Sequence, residues 1–177
     1  MQRKYNIPIF VPHRGCPFDC VFCNQKTITG QSKGADPDMV TETIEEYLKT
    51  MPEGAAIETA FFGGSFTGIP MEEQNALMDR AVPYIKSGRI DGIRLSTRPD
   101  YIDEKILDNL KAHYVTTIEL GVQSMDEEVL KNSNRGHSAE DVVRAAELIK
   151  SYGFSLGLQM MTGLPGDTPE KSIYTAE

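Results

Sequence analysis

The sequence predicts an α/β fold with a parallel sheet made of about five β–α units. Short apolar runs alternate with stretches that have helical periodicity, and each run has the length of a strand and is followed by Gly, Ser or Pro. The runs cover residues 7–11, 57–62, 90–95, 116–122 and 154–161. Because strands that alternate with helices form βαβ units, we expect the sheet to be parallel.

The helices between the runs show apolar residues three and four positions apart, in residues 40–48, 77–85, 106–110 and 142–149. Three helix starts carry capping signals: Asp36 before Pro37, Thr168 before Pro169, and Ser138 with Asp141 in a possible capping box. Gly153 stands where a helix would stop. Pro83 lies inside the second helical pattern and predicts a kink or an early end there.

The apolar runs predict strands buried on both faces, as in other parallel sheets. The functional loops of such sheets gather at the carboxyl ends of the strands. In this sequence those exits are residues 12–16, 63–68, 96–100, 123–124 and 162–166, and they hold nearly all of the unusual residues. We therefore expect the functional site at this end of the sheet.

Composition fits one globular domain over residues 1–177, since 40% of the residues are apolar and no stretch is long enough for a membrane span. The first residues do not resemble a signal peptide, so we expect a cytoplasmic protein without a membrane partner. A net charge of −8 disfavours binding of nucleic acid by charge alone, although one basic patch could still bind it. The fifth unit ends at a helix start, which suggests either a short docked helix or a domain that is incomplete at its C-terminus.

All three cysteines, Cys16, Cys20 and Cys23, lie in the loop that leaves the first strand, spaced C-x3-C-x2-C. Three soft ligands aimed at one point are typical of a metal or cluster site. A structural zinc ion would need a fourth ligand, for which His13 is the nearby candidate. A four-iron cluster held by three cysteines leaves one iron open for a substrate or cofactor. The remaining interpretation is that the three cysteines are buried without binding a metal.

The segment Cys16-Pro17-Phe18-Asp19-Cys20-Val21-Phe22-Cys23 resembles the signature of the radical S-adenosylmethionine (SAM) enzymes. Phe61-Phe62-Gly63-Gly64-Ser65 is similar to the glycine-rich motif of that family. Three later segments resemble those shared by oxygen-independent coproporphyrinogen oxidases and the radical catalytic subunit of Elongator: residues 119–124, 134–137 and 163–166. Residues 13–30 and 96–100 are more similar to the Elongator branch.

The resemblance implies a partial (βα)6 barrel of the TIM-like type, with a [4Fe-4S] cluster on Cys16, Cys20 and Cys23. It also implies that SAM binds the open iron and is cleaved, with an added electron, to a 5′-deoxyadenosyl radical that abstracts hydrogen from a substrate. The electron donor would be a protein such as flavodoxin or ferredoxin, and the substrate would be tRNA or a small molecule. The alternative function is a non-catalytic zinc-binding or scaffold protein that uses the same cysteines.

The resemblance further assigns contacts to SAM, without identifying a catalytic residue: Phe22, Gly63, Gly64, Ser65, Ser96, Gln123, Arg135 and Gln159. The glycines would contact the methionine amino group through their backbone. Ser65, Ser96 and Gln159 stand where relatives have acidic residues, so their roles differ in chemistry. From the residues alone, Arg135 could instead be a solvated cap near a helix end, and Gln123 could bond a neighbouring backbone group.

Overall fold

The computed structural model describes residues 3–12, 20–23 and 35–177. Five parallel strands form one sheet in the order β1-β2-β3-β4-β5. Their bounds are β1 Lys4–Val11, β2 Ala56–Gly63, β3 Gly92–Thr97, β4 Val115–Gln123 and β5 Ser155–Met160. The predicted parallel sheet is confirmed, and each strand lies within three residues of its predicted bounds.

The strand order never reverses along the chain. Because β–α–β crossovers are almost always right-handed, a sheet that always steps in one direction carries its helices on one face and curls with the other face inside. A doubly wound sheet would instead reverse its order at a switch point. The order therefore confirms the predicted partial TIM-like barrel.

In the described residues, six α-helices connect or follow the strands: α1 Pro37–Leu48, α2 Met71–Lys86, α3 Glu104–Ala112, α4 Glu127–Asn132, α5 Ala139–Ser151 and α6 Pro169–Ala176. The predicted caps are confirmed, since Asp36 and Thr168 each accept a backbone hydrogen bond and Ser138 forms both arms of a capping box with Asp141. Gly153 follows α5 with a φ of +85°. In the described part of the chain, no helix combines the length and apolar character needed to cross a bilayer.

Two helices differ from the sequence prediction. Of the kink or early end predicted at Pro83, the early end is wrong, because helix α2 continues to Lys86. Pro83 lies in the last turn, where it removes one backbone hydrogen bond. Helix α4 was not predicted, because its six residues are too few to show a periodic pattern. It nevertheless has its own N-cap in Asp126, whose carboxylate accepts from the backbone N–H of Val129.

The apolar core lies between the helices and the outer face of the sheet. Side chains of alternate strand residues, such as Phe61, Leu95 and Ile118, are fully buried there with Ile44 of α1. The prediction that the strands are buried on both faces holds only in part, because the charged side chains on the inner face are 13–20% exposed. It also fails at β5, where Leu158 is 58% exposed, since β5 pairs only with β4 among the described residues.

Candidate functional site

A cavity of about 170 Å³ lies at the carboxyl ends of the strands. It is lined by Cys20, Phe22, Cys23, Gly63, Gly64, Ser65, Ser96, Thr97, Arg98, Gly121, Gln123, Arg135 and Gln159. All eight residues that the resemblance assigned to SAM lie in this lining, together with two of the three cysteines. The predicted ligand Cys16 and the alternative ligand His13 lie outside the described residues.

The exits of β1 and β2 approach each other closely at Gly63. This residue has a φ of +110°, and a Cβ atom there would lie 2.6 Å from the Phe10 ring and 2.7 Å from the Val11 carbonyl oxygen. The neighbouring Gly64 donates its backbone N–H to that same carbonyl at 2.9 Å. Only glycine fits at position 63, because a side chain there would collide with the residues at the end of β1.

Gln123 ends β4 in an unusual conformation. Its φ is +71°, which is uncommon for a residue other than glycine, and the pairing of β4 with β5 shifts register between Gly121 and Gln123. Its carbonyl oxygen accepts from the N–H of Met161 at 3.0 Å. The side-chain oxygen of Gln123 is buried without a hydrogen-bond partner among the described residues.

Gly121 lines the cavity but was not predicted as a site residue. A Cβ atom at this position would lie 2.8 Å from Nη2 of Arg135 and 3.0 Å from Nε2 of Gln123. The absence of a side chain therefore makes room for two predicted cofactor contacts. The signal in the sequence is a glycine within a strand of otherwise apolar character, which often marks a close approach.

Arg135 reaches the cavity from the loop after α4. The helix ends in a Schellman motif: Asn134, with a φ of +52°, donates to the Lys131 carbonyl, and the N–H of Arg135 donates to the Leu130 carbonyl. This turn directs the side chain inward, where it is 8% exposed. Arg135 is therefore not a solvated cap.

The guanidinium of Arg135 is only partly satisfied. Its Nη2 donates to the Gly121 carbonyl and its Nη1 lies 3.8 Å from Sγ of Cys20, while Nε has no partner among the described residues. Burial, and then the nearby positive charge of Arg98, lower the pKa of Arg135 from its ordinary value. No carboxylate forms an ion pair with Arg135 within residues 3–12, 20–23 and 35–177.

Arg98 is a second lining residue that the sequence analysis missed. It is buried and donates to both carboxylate oxygens of Asp100, at 2.9 and 3.1 Å. It also donates to the backbone carbonyl of Arg135 at 2.7 Å. Arg98 thus fixes the loop that carries Arg135. The resemblance of the segment 96–100 to the Elongator branch assigned no role to this residue.

Cys20 and Cys23 lie in a short turn in which the N–H of Cys23 donates to the Cys20 carbonyl at 2.8 Å. The turn is attached to the loop after α4, since Val21 donates to the Ser133 carbonyl and the Cys20 thiol donates to the Asn134 carbonyl at 3.5 Å. Within the described ranges no group of three potential metal ligands is present. The third cysteine lies outside those ranges, so the cluster ligands remain a prediction.

His137 lies behind Arg135 and is 5% exposed. Its Nε2 is 3.2 Å from the Val122 carbonyl oxygen, so this nitrogen carries the proton, and Nδ1 has no partner among the described residues. Burial, and then the positive charges of Arg135 and Arg98, lower the pKa of His137 to about 4. The ring is therefore neutral at pH 7.

The comparisons with known proteins agree with this geometry. The model of the Radical SAM superfamily matches residues 10–177. The chain is 30% identical over 173 residues to tRNA uridine(34) acetyltransferase of Methanocaldococcus infernus, which covers 84% of this chain and 32% of that protein. It is 31% identical over 135 residues to Elongator complex protein 3 of Schizosaccharomyces pombe, which covers 67% of this chain and 25% of that protein. The chain therefore spans a third or less of the length of these relatives.

Two solved structures share the fold. The archaeal Elp3 of M. infernus with an N-terminal deletion superposes with a TM-score of 0.73 at 24% identity, over 99% of this chain and 42% of that chain. Coproporphyrinogen III oxidase of Escherichia coli, described as a radical SAM enzyme, gives a TM-score of 0.67 at 22% identity, over 99% and 41%. With the family match over nearly the whole sequence, these findings show that the chain belongs to the radical SAM superfamily of enzymes.

Proposed function

We propose that this chain binds SAM in the cavity at the strand exits and a [4Fe-4S] cluster in its cysteine loop. The observation that carries the proposal is the pair of unsatisfied polar atoms in the cavity lining. Arg135 Nε is a buried donor and Gln123 Oε1 is a buried acceptor, and neither has a partner among the described residues. Buried polar groups are rarely left unpaired, so both atoms indicate a polar ligand.

The two atoms complement the amino-acid end of SAM. A carboxylate supplies an acceptor for Arg135, and an ammonium group supplies donors for Gln123. Arg135 lies only 3.8 Å from Cys20, so its charge would also face the thiolate of a cluster ligand. A buried cation without a carboxylate partner is costly, and an anionic ligand would offset that cost.

The other lining residues have matching tasks. Gly63 and Phe22 also line the cavity, and the glycine, which has no side chain, would let the ligand approach its backbone. The cluster would be held by Cys16, Cys20 and Cys23. When bound, the cluster and SAM together supply a 5′-deoxyadenosyl radical that removes hydrogen from a substrate. The protein positions the reacting groups and excludes water from them.

For the substrate we propose tRNA, with an electron donor such as flavodoxin or ferredoxin. Support comes from the relatives named for tRNA uridine(34) acetylation. The net charge of −8 means that binding would depend on a local surface rather than on overall attraction. A small-molecule substrate is the alternative outcome of the test below.

The cluster is tested by anaerobic reconstitution followed by iron and zinc analysis. We expect about four irons per chain. Cys20→Ala and Cys23→Ala should lose the cluster, because a site with three thiolates has no spare ligand, whereas Ser65→Ala should keep it. Stoichiometric zinc without visible absorption would favour the alternative of a zinc-binding or scaffold protein.

The reaction is tested by reducing the reconstituted protein with dithionite in the presence of SAM. The expected product is 5′-deoxyadenosine, measured by chromatography. Adding deuterated tRNA transcripts, or in parallel a deuterated metabolite extract, should raise this yield, and deuterium should pass from the true substrate into 5′-deoxyadenosine. Transfer from metabolites but not from tRNA would replace the tRNA assignment with a small molecule.

A further inference from the structure

Glu119 connects two of the cavity-lining residues from behind. It lies on β4 directly beside Ser96 of β3, and its other sheet neighbour is Gly157 of β5. Its Oε2 accepts from Ser96 Oγ at 3.2 Å and from Gln159 Nε2 at 2.7 Å. Glu119 is not itself part of the cavity lining. It contacts the lining residues of two different strands through one oxygen atom.

The direction of these two hydrogen bonds is fixed by chemistry. An ionised carboxylate has no proton to donate, so the Ser96 hydroxyl and the Gln159 amide nitrogen must both be donors. Ser96 then has only oxygen lone pairs to offer a second partner. Since Nε2 of Gln159 donates to Glu119, its Oε1 is the atom that can accept from a ligand. Both lining residues therefore present an acceptor.

The position of Glu119 is itself well determined. Its Oε1 accepts from Nη1 of Arg94, and Nε of Arg94 donates to Oε2 of Glu58 at 3.0 Å. Gly157 leaves room on the other side, because a Cβ atom there would lie 3.0 Å from Cγ of Glu119. The carboxylate is thus held between a charged partner and a small neighbour, with its second oxygen toward Ser96 and Gln159.

We propose that Glu119 is a positioning residue that makes Ser96 and Gln159 hydrogen-bond acceptors, so that this wall of the cavity selects a ligand group bearing hydroxyl donors. This inference rests on the proposed binding of SAM. The part of SAM that bears such donors is the ribose, whose two neighbouring hydroxyls match the two acceptors that β3 and β5 present on either side of β4. A fluorine atom in place of a hydroxyl can only accept and would face acceptors.

Glu119→Gln reverses this polarity with little change in shape. The side-chain oxygen of the new amide must face Arg94, which can only donate, so its NH₂ group faces Ser96 and Gln159. Ser96 then accepts from position 119 and turns its proton toward the cavity. Gln159 rotates its amide in the same sense. Ser96 and Gln159 then both present hydrogen-bond donors to the cavity, and this wall tolerates a ligand group that can only accept, such as fluorine.

The test compares the dissociation constants of SAM and its 2′-deoxy-2′-fluoro and 3′-deoxy-3′-fluoro analogues by anaerobic titration calorimetry of the reconstituted protein. In the unmodified protein we expect at least one fluoro analogue to bind roughly two- to tenfold more weakly than SAM, the range expected for one neutral hydrogen bond. In Glu119→Gln this ratio should fall toward one. Ser96→Ala removes a single acceptor without disturbing Arg94, and it should lower the ratio for one analogue only.

Glu58→Gln is the matched control, because Glu58 is the other carboxylate on Arg94 and contacts neither Ser96 nor Gln159. A purely structural role for Glu119 would be reproduced by Glu58→Gln, whereas the positioning role predicts that this control keeps the ratio of the unmodified protein. Equal ratios in all the proteins, or equal changes in both glutamate variants, would overturn the inference while SAM binding stands. Failure of the reconstituted protein to bind SAM at all would overturn the proposed function as well.

Discussion

Two arginines inside the barrel differ in how their charge is balanced. Arg94, in the middle of β3, lies between the carboxylates of Glu58 and Glu119 and forms an ion pair with each. Arg135, at the strand exits, is more deeply buried and forms an ion pair with no carboxylate in the described part of the chain. The two side chains belong to the same barrel and serve different purposes.

The difference separates a structural layer from a binding layer. The pKa of Arg94 is raised, because hydrogen bonds and charges from Glu58 and Glu119 outweigh its burial, while burial lowers the pKa of Arg135. The charge of Arg94 is therefore compensated by the protein. The charge of Arg135 has no such compensation among the described residues and is available to a ligand. It also lowers the pKa of the neighbouring His137.

The largest effect should follow from removing the balanced charge. Arg94→Met leaves two carboxylates close together without a counterion, and we expect a loss of about 3 kcal/mol in the free energy of unfolding. Urea unfolding followed by circular dichroism measures it. The control is Arg89→Met, which breaks an exposed pair with Glu45 and should cost much less. Equal losses in the two variants would mean that the ion pairs of Arg94 contribute no more to the free energy of unfolding than the exposed pair does.

Removing the unbalanced charge should affect binding more than stability. Arg135→Met is expected to weaken SAM binding roughly ten- to a hundredfold, which corresponds to about 1.5–3 kcal/mol for a charge-assisted hydrogen bond. The fold should be affected less, because the variant also removes an uncompensated buried cation. Titration calorimetry with SAM measures the affinity. The SAM affinity of Arg135→Lys should lie between those of the unmodified protein and Arg135→Met. Unchanged affinity in both variants would place SAM elsewhere.

The pH dependence of the free energy of unfolding should reflect the pKa of His137, which the charge of Arg135 helps to lower. Its folded pKa of about 4 lies below the ordinary value of 6.5, so the unfolded chain binds more protons between these values. The contribution of His137 to the free energy of unfolding is therefore fully present above pH 6.5 and is lost as the pH falls toward 4. We expect the free energy of unfolding to fall by about 2 kcal/mol from pH 7 to pH 5.

The measurement is urea unfolding across this pH range. His137→Gln should show a shallower pH dependence than the unmodified protein, and Arg135→Met should lie between the two. If His137→Gln has the same pH dependence as the unmodified protein, His137 is not the group responsible.

The smallest effect should come from filling the space beside Arg135. Gly121→Ala adds a methyl group 2.8 Å from Nη2 of Arg135, and the displaced guanidinium should bind SAM roughly fivefold more weakly, about 1 kcal/mol, the low end of the overpacking range. Gly92→Ala is the control, since its methyl group would meet Thr116 far from the cavity. That variant should lose stability but keep its SAM affinity.

Much of the site follows from the sequence, because parallel strands bring their exits to one edge whatever the exact packing. The apolar runs place Gly63, Ser96 and Gln123 at such exits, and all three line one cavity. The capping residues of α1, α5 and α6 could also be predicted from the sequence, because a capping side chain bonds a backbone N–H only two or three residues away. Local spacing is enough for both.

Only the tertiary structure decided which polar groups are paired. Periodicity marks the strands as apolar, yet Glu58, Arg94 and Glu119 come from three strands and compensate one another only when the sheet is assembled. Helix α4 is too short to show a pattern, so the turn that buries Arg135 was not predictable. Whether a charge is balanced depends on residues distant in the sequence, because hydrogen bonds and ion pairs act over a few ångströms in space.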